Sequence, residues 1–379
     1  MKNVFSIVFA FFLIMLSGFK AYAEEIDLGE LGEEYGVSEL GDSLTYDASD
    51  FLEEYGISPD DPNGITQLSP SDVLSYLWKK LCSSAAAPVR LLGMILSIII
   101  LGAAAGVYQE GMGGNGASGL YRSVVVMAAV IISVPTISGC IENTAATLEK
   151  GSDFMLCYVP VFAGIAAAAG NAASSLSYNG IVLLIAEGAA QISGRVLIPV
   201  LSVCLAMNII EAVEPTLGLS SVTALLKKGL SLVLGFGMTL FTGMLSIQSI
   251  VGASADTLGV KAAKFVVSNF VPVVGSAVAD AYTTMRSGLG LLRGAAGAFG
   301  IIALCVTILP PILEMTCLYL TMTAGEAAAE MFGIKPLGAF FKGTASVLSI
   351  GLAVAVCFGV MFVIATVILM AAGLGSGNV

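Results

Sequence analysis

The sequence has no histidine, and only 11% of its 379 residues are charged. An ordinary globular chain carries about a quarter charged residues. Without histidine, zinc sites lose their usual nitrogen ligand, and the side chain best placed to exchange protons near neutral pH is missing. The seven cysteines, at 82, 140, 157, 204, 305, 317 and 357, form no CxxC pair. Most lie inside apolar runs, where cysteine packs as a small hydrophobe. There is no G-x-S-x-G elbow and no Walker A motif. The loop Gly111-Met112-Gly113-Gly114-Asn115-Gly116 lacks the Gly-Lys-Ser/Thr that completes a phosphate cradle. Asp280 and Glu314 are isolated carboxylates without the paired setting of an acid protease. No basic stripe marks a nucleic-acid surface. The expectation is a protein that is not an enzyme, with no catalytic, cofactor-binding or metal residues and no nucleic-acid partner.

What the chain has is apolar surface. Hydrophobic residues make up 57% of it and the mean hydropathy is +0.93. A soluble fold of this length cannot hide that much apolar surface, whereas a bilayer solvates it directly. The 44 glycines suit helices that approach closely within a membrane. An all-α, polytopic transmembrane bundle is therefore expected, with a lipid bilayer as its solvent.

Charge is distributed unevenly. The net charge is −11, yet Glu24 to Asp72 holds 15 acidic and no basic residues, leaving 14 basic and 12 acidic from Val73 onward, a balance of +2. Residues 1–23 read as a signal peptide: Lys2, an apolar run from Val4 to Gly18, then an A-x-A site formed by Ala21, Tyr22 and Ala23 before Glu24. Residues 24–87 follow as an acidic extracytoplasmic segment. Charge runs are usually solvated, so a flexible tether or short helices fit it better than a packed domain. Glu33-Glu34-Tyr35-Gly36-Val37-Ser38 recurs as Glu53-Glu54-Tyr55-Gly56-Ile57-Ser58, either as docking motifs or as part of that tether. The spaced ligands of an EF-hand are absent. Ser71 to Ser84 reads as an amphipathic helix carrying Trp78, lying on the membrane interface or on the protein's own surface.

Eight apolar stretches are long enough to span, about 88–108, 123–141, 154–173, 190–210, 229–250, 265–284, 296–322 and 345–373, giving about 7–8 spans. Residues 181–189 are apolar but short, a half-helix or an extension of a neighbour. An internal duplication is expected. Tyr158-Val159-Pro160-Val161-Phe162-Ala163-Gly164 matches Phe270-Val271-Pro272-Val273-Val274-Gly275-Ser276 at an offset of 112, and Lys228-Gly229 and Gly237 match Lys342-Gly343 and Gly351 at 114. The organisation becomes two membrane helices over 88–147, one repeat over 148–255 and a second over 256–379. Three spans per half would invert the second repeat, a plan common in transporters. Pro160, Pro199, Pro272, Pro310 and Pro311 are expected helix breaks.

Polar residues within apolar runs are costly and face a partner or an aqueous cavity. Glu187, Gln191 and Arg195 share one helix face at i, i+4 and i+8. With Asn208, Asn269, Asp280 and Glu314 they are candidates for a conduit lining or an intramembrane polar lock. The alternative is static polar bonding between helices. Glu211, Glu214, Glu326 and Glu330 read as interfacial.

The stretch from Lys261-Ala262-Ala263-Lys264-Phe265 through Ser268-Asn269-Phe270-Val271-Pro272-Val273-Val274-Gly275 to Asp280-Ala281, together with the leader, the acidic segment and the Gly/Ala-rich body, resembles the stage III sporulation protein AE family. The resemblance implies a subunit of a channel complex across the two membranes between mother cell and forespore. The partners it implies are the other membrane proteins of the stage III sporulation A operon and, indirectly, stage II sporulation protein Q. It implies a place in the mother-cell (outer forespore) membrane and a permease or export-gate role required for forespore development. The readings left beside it are a scaffold for the ring proteins of that complex and an autonomous secondary transporter.

Overall fold

The computed structural model describes residue 40 and residues 44–56, 70–111, 118–214, 217–270 and 275–371. Every regular element among them is helical: α1 (Tyr46–Glu54), α2 (Pro70–Gly111), α3 (Ser118–Ala166), α4 (Ala172–Ile192), α5 (Ile198–Val213), α6 (Ser220–Phe270), α7 (Gly275–Met331) and α8 (Lys335–Ala371). Two π-helical segments, Ala167–Asn171 and Ser193–Leu197, join α3 to α4 and α4 to α5. The signal cleavage residues Ala21, Ala23 and Glu24, and Pro272, lie outside the described residues.

Close contacts fix the direction of each helix. On α3, Asn143 meets Glu314, Gly151 faces Ile308 and Tyr158 reaches Ala296, so α3 runs antiparallel to α7. On α5, Leu201 lies beside Gly351 and Asn208 bonds to Phe340 and Thr344, so α5 runs antiparallel to α8. The chain therefore reverses around Ala167–Asn171. On α2, Pro88 accepts a bond from Thr321, and Ile95 and Gly102 lie by Gly325 and Ile334, which makes α2 parallel to α7. The result is an up-and-down bundle with α7 and α8 at its centre. Phe299, Met315, Leu318, Phe340, Phe341 and Phe362 on these two helices are all but fully buried.

Two glycines with positive φ set the turns at one end of the bundle. Gly218 (φ 60°) lies between α5 and α6, and Gly333 (φ 71°) lies between α7 and α8. At the second turn the Ile334 amide bonds back to Ala329 O at 2.9 Å and the Gly333 amide to Glu330 O at 3.1 Å. This is the left-handed helix stop that glycine adopts without a Cβ penalty. Gly333→Ala should destabilise the hairpin by about 1–2 kcal/mol, read as a lowered unfolding midpoint in detergent, while Lys335→Ala, on the exposed side of the turn, leaves it within about 0.5 kcal/mol.

Both turns sit at the same end, because α5 and α7 run the same way. The two hairpins are therefore parallel, and the inverted arrangement expected from span counting is corrected. One reason for the difference is that α3 is a single helix, and the expected stretch 265–284 runs through residues outside the described ones. The stretches 123–141 and 154–173, expected as two spans, belong to one helix that continues through Glu142, Glu149, Lys150 and Asp153. Glu, Lys, Leu and Ala are good helix formers, and the charges sit on its exposed face. Six helices among the described residues are long and apolar enough to cross a membrane: Trp78–Tyr108, Ser123–Ala169, Arg195–Val213, Ser221–Ile247, Arg293–Met331 and Lys335–Val367. The stretch 181–189 falls inside α4, and the amphipathic start at Ser71 is continuous with the first span.

Three of the prolines expected to break helices do not end them. Pro160 lies inside α3, and Pro310 and Pro311 inside α7. A buried membrane helix tolerates proline because neighbouring groups and local helix adjustments re-satisfy the freed backbone. Pro199 stands in the first turn of α5, directly after a π-helical segment, where its missing N–H costs little.

The described part of the acidic segment is a packed helix and not a loose tether. Phe51 is fully buried, with its ring 4.8 Å from those of both Tyr55 and Tyr76. The Tyr55 hydroxyl donates to Asp72 O at 3.2 Å, and Thr45 Oγ1 lies 2.7 Å from Thr307 Oγ1 of α7. Burying Phe51 contributes about 1.5–3 kcal/mol to docking. The exposed Lys79–Glu54 ion pair at 3.2 Å adds at most about 1 kcal/mol. Phe51→Ala should release α1, giving faster proteolysis before residue 70 with the bundle intact, whereas Lys79→Ala should leave the cleavage rate near wild type.

Candidate functional site

The polar residues singled out in the sequence separate into three places. Asn208 on α5 is buried at 7% exposure. Its amide donates to Phe340 O at 2.9 Å and to Thr344 Oγ1 at 2.8 Å on α8. Gly343 lies directly under that amide, and a Cβ there would collide with it. One turn along, Lys227 Nζ of α6 donates to Ser346 Oγ at 2.7 Å. Nearer the hairpin, Lys342 Nζ stands 3.4 Å from Glu326 Oε1. Together these bonds tie α5, α6 and α7 to α8. Each interhelical bond of this kind contributes about 0.6–2 kcal/mol in a membrane protein.

Glu314 belongs to a second place, midway along α7. Its Oε2 accepts a bond from the Asn143 amide of α3 at 3.1 Å. Glu142, Glu149, Lys150 and Asp153 follow on the exposed side of α3. Below them Tyr158, fully buried, donates to Ala296 O at 3.1 Å.

The third place is the outside of α4 and of the π-helical segment after it. Glu187 and Gln191 on α4 and Arg195 on Ser193–Leu197 are all exposed. Gln191 Nε2 donates to Glu187 Oε1 at 2.8 Å, the i, i+4 contact their spacing allows. They converge with neither Asn208 nor Glu314. Asn269 and Asp280 stand near the ends of α6 and α7, where their side chains lie outside the described residues.

Sequence reading missed Asn143, Lys227 and Arg293. Lys227 lies just before the expected stretch 229–250, yet it is half-buried within the span Ser221–Ile247. Its long stem lets the ammonium reach Ser346 while the methylenes stay apolar. Arg293, between the expected stretches 265–284 and 296–322, is buried at 5% exposure on α7. Asn143 lay in the supposed loop between two spans. Its signal was the i, i+4 series Asn143, Thr147 and Gly151, which is helical.

Among the described residues the bundle interior is packed with apolar side chains. Leu91, Ile95, Leu201, Cys204, Met315 and Leu348 close the level of the polar lock. A shallow open groove, about 480 Å³, runs along α6 beside Met238, Thr239, Thr242, Gly243 and Ser246. Its hydroxyls bond back to their own helix, Thr239 to Gly235 O and Thr242 to Met238 O at 2.9 Å and Ser246 to Thr242 O at 2.7 Å. They are committed to those carbonyls and leave the groove little polarity for a solute.

Residues 59–373 match the family model described as Stage III sporulation protein AE. The chain belongs to the stage III sporulation protein AE family. It is 23% identical over 355 residues to the Stage III sporulation protein AE of Bacillus subtilis (strain 168), covering 91% of this chain and 89% of that protein. No solved structure matches. The resemblance carried by the Lys261–Ala281 stretch thus holds across nearly the whole length. This member of the family is a multi-pass helical membrane protein involved in sporulation.

Proposed function

We propose that this protein is a non-enzymatic membrane subunit of the channel complex joining mother cell and forespore, placed in the mother-cell membrane with α1 on the extracytoplasmic side. The observation that carries this reading is the family match over residues 59–373. The packed interior adds a physical constraint. Met315, Leu318 and Leu348 are buried at the centre of the described residues, which favours a conduit between subunits over one through a single chain. Glu187 and Gln191 on α4, and Arg195 on the π-helical segment after it, are exposed and available to face a neighbouring subunit. The same filled core weighs against an autonomous secondary transporter.

The two parallel hairpins, α5–α6 and α7–α8, fit a duplicated unit whose copies keep one orientation. Their turn glycines, 218 and 333, stand 115 residues apart, close to the sequence offsets.

Charge-removing substitutions test the reading: Glu187→Gln, Arg195→Gln, Asp280→Asn and Glu314→Gln in sporulating cells. The expected result is impaired forespore development with normal protein accumulation, in at least the α4 variants. Normal sporulation in all four contradicts a conduit-facing role. The scaffold reading is favoured by α1 being docked. Deleting residues 24–68 behind an intact leader separates the two, because a scaffold then loses its partners while membrane insertion persists.

A further inference from the structure

α6 shows where lipid touches the bundle. Leu225, Leu232, Phe236, Leu240, Met244 and Ile247 are each more than half exposed. From Leu225 to Ile247 the helix rises about 33 Å, close to one hydrocarbon layer of about 30 Å.

Contacts between helices carry that depth across the bundle. Lys227 of α6 bonds to Ser346 of α8. Gly351, five residues on, lies by Met315. Gly359 lies by Ile308, and Ile308 also faces Gly151 of α3. α6 and α8 start from the same end and run the same way. Leu232 therefore stands at the level of Gly351, and Leu240 at the level of Gly359 and Gly151. Ile247 reaches the level of Tyr158.

At this same depth α3 exposes something else. Glu142, Asn143, Glu149, Lys150, Asp153 and Cys157 form one exposed strip, at the spacing that keeps residues on one helix face. From Glu142 to Asp153 it covers about 16 Å and holds three carboxylates and one ammonium. Past Ile131, no large apolar side chain of α3 is exposed. α4 and α8 each pack against both α3 and α6, so the two faces lie on different sides of the bundle. α1 belongs to the α3 side: it docks through Thr45 to Thr307, and its Glu54 meets Lys79 of α2 in the open.

Charges facing lipid at such a depth are costly, and they turn to water or to protein instead. We infer that the α3 strip is a water-facing wall of the conduit between subunits, at the depth where α6 meets lipid on the other side, and that it favours positively charged solutes or peptide segments. The inference rests on the subunit reading given above. Water solvates all four charges, whereas a protein surface burying them would have to match each one. The carboxylates outnumber the ammonium and raise the local concentration of cations. The pair Glu54–Lys79 and the α4 edge, with Glu187 and Arg195, add one charge of each sign and leave that excess in place. Toward the hairpin the strip ends in Ile131, Met127 and Val124, all exposed and apolar. The polar wall therefore runs from Glu142 away from the hairpin, past the level at which α1 docks.

The test uses the full chain in membranes from sporulating cells of its host, opened by freeze–thaw. Cys82→Ser leaves Cys157 as the exposed native thiol. A Cys82→Ser/Cys157→Ser chain gives the background, and Leu240→Cys placed in it reports on α6. Each chain is treated with a cationic reagent, trimethylammonioethyl methanethiosulfonate, or an anionic one, sulfonatoethyl methanethiosulfonate. Rates are taken relative to those with mercaptoethanol. Cys157 should react with both, roughly tenfold faster with the cation. Glu149→Gln/Asp153→Asn should remove most of that preference, and position 240 should stay at background. No reaction at 157 above background overturns the inference, as do equal rates for the two reagents or a reaction at 240 as fast as at 157. Affinity purification from the same cells reports separately on the complex. Partners recovered with Cys157 unreactive sinks the wall alone; no partners with Cys157 reactive sinks the complex alone.

Discussion

Gly300→Ala should destabilise the protein by about 1–3 kcal/mol, the usual cost of overpacking a filled core, and place it among the most damaging single-methyl additions. A Cβ on Gly300 would enter the ring of Tyr158. That ring is fully buried, stacks on Phe154 at 5.4 Å and on Phe162 at 5.5 Å, and is tethered by its hydroxyl to Ala296 O. It has no free volume to move into, and a shift would strand a buried hydroxyl as well. The same geometry predicts non-additivity. Tyr158→Leu alone removes the hydroxyl bond and much of the ring, and is destabilising. In its presence Gly300→Ala should cost much less, because the collision has gone. Thermal unfolding of the four proteins of this cycle in detergent gives the coupling. Additive effects would mean that α3 and α7 do not meet at this point.

Gly343→Ala is expected to be almost as severe, for a different reason. The new methyl displaces the Asn208 amide from Phe340 O and Thr344 Oγ1, leaving a buried amide unpaired at about 1–3 kcal/mol. Asn208→Ala should be milder, because Thr344 is one turn from Phe340 and its hydroxyl can rotate to that carbonyl, as Thr and Ser commonly do in helices. Asn208→Ala should therefore rescue Gly343→Ala. A double variant less stable than Gly343→Ala alone would show that the amide is not what the methyl displaces. The lock also couples α5 to the central hairpin, so Gly343→Ala should loosen α5 first, seen as faster hydrogen exchange across Ile198–Val213.

The helical membrane class was legible because composition and long apolar runs admit few other solvents for the chain. The family was legible in the stretch around Ser268–Val274, whose order of residues is more specific than hydropathy. Topology was not, and the reason lies in particular residues. Glu142 to Asp153 carries the charge of a loop and the helix propensity of a helix, and hydropathy registers only the first. Phe154, Tyr158 and Phe162 look like lipid-facing residues until Gly300 and Ala296 are seen to receive Tyr158. Asn208 was found because an amide in an apolar run must be paired. Its partners were out of reach of sequence, since they lie 132 and 136 residues away. Glu187 and Gln191 meet at i, i+4 as their spacing allows, with Arg195 beyond the end of α4 in a π-helical segment, but nothing local says that they point outward. Pro160 and Pro310 misled because proline ends exposed helices far more readily than buried ones, whose neighbours satisfy the freed carbonyls.

The account makes this protein one subunit among several, with its own core closed and any conduit lying between chains. Affinity purification of the full chain from sporulating cells of its own host, after crosslinking and membrane solubilisation, tests this most directly. The predicted result is recovery of the other membrane proteins of the stage III sporulation A operon in amounts comparable to the bait, and their loss when residues 24–68 are removed if α1 holds them. Recovery of the chain alone, from cells in which those proteins are present in the same membrane, would contradict it.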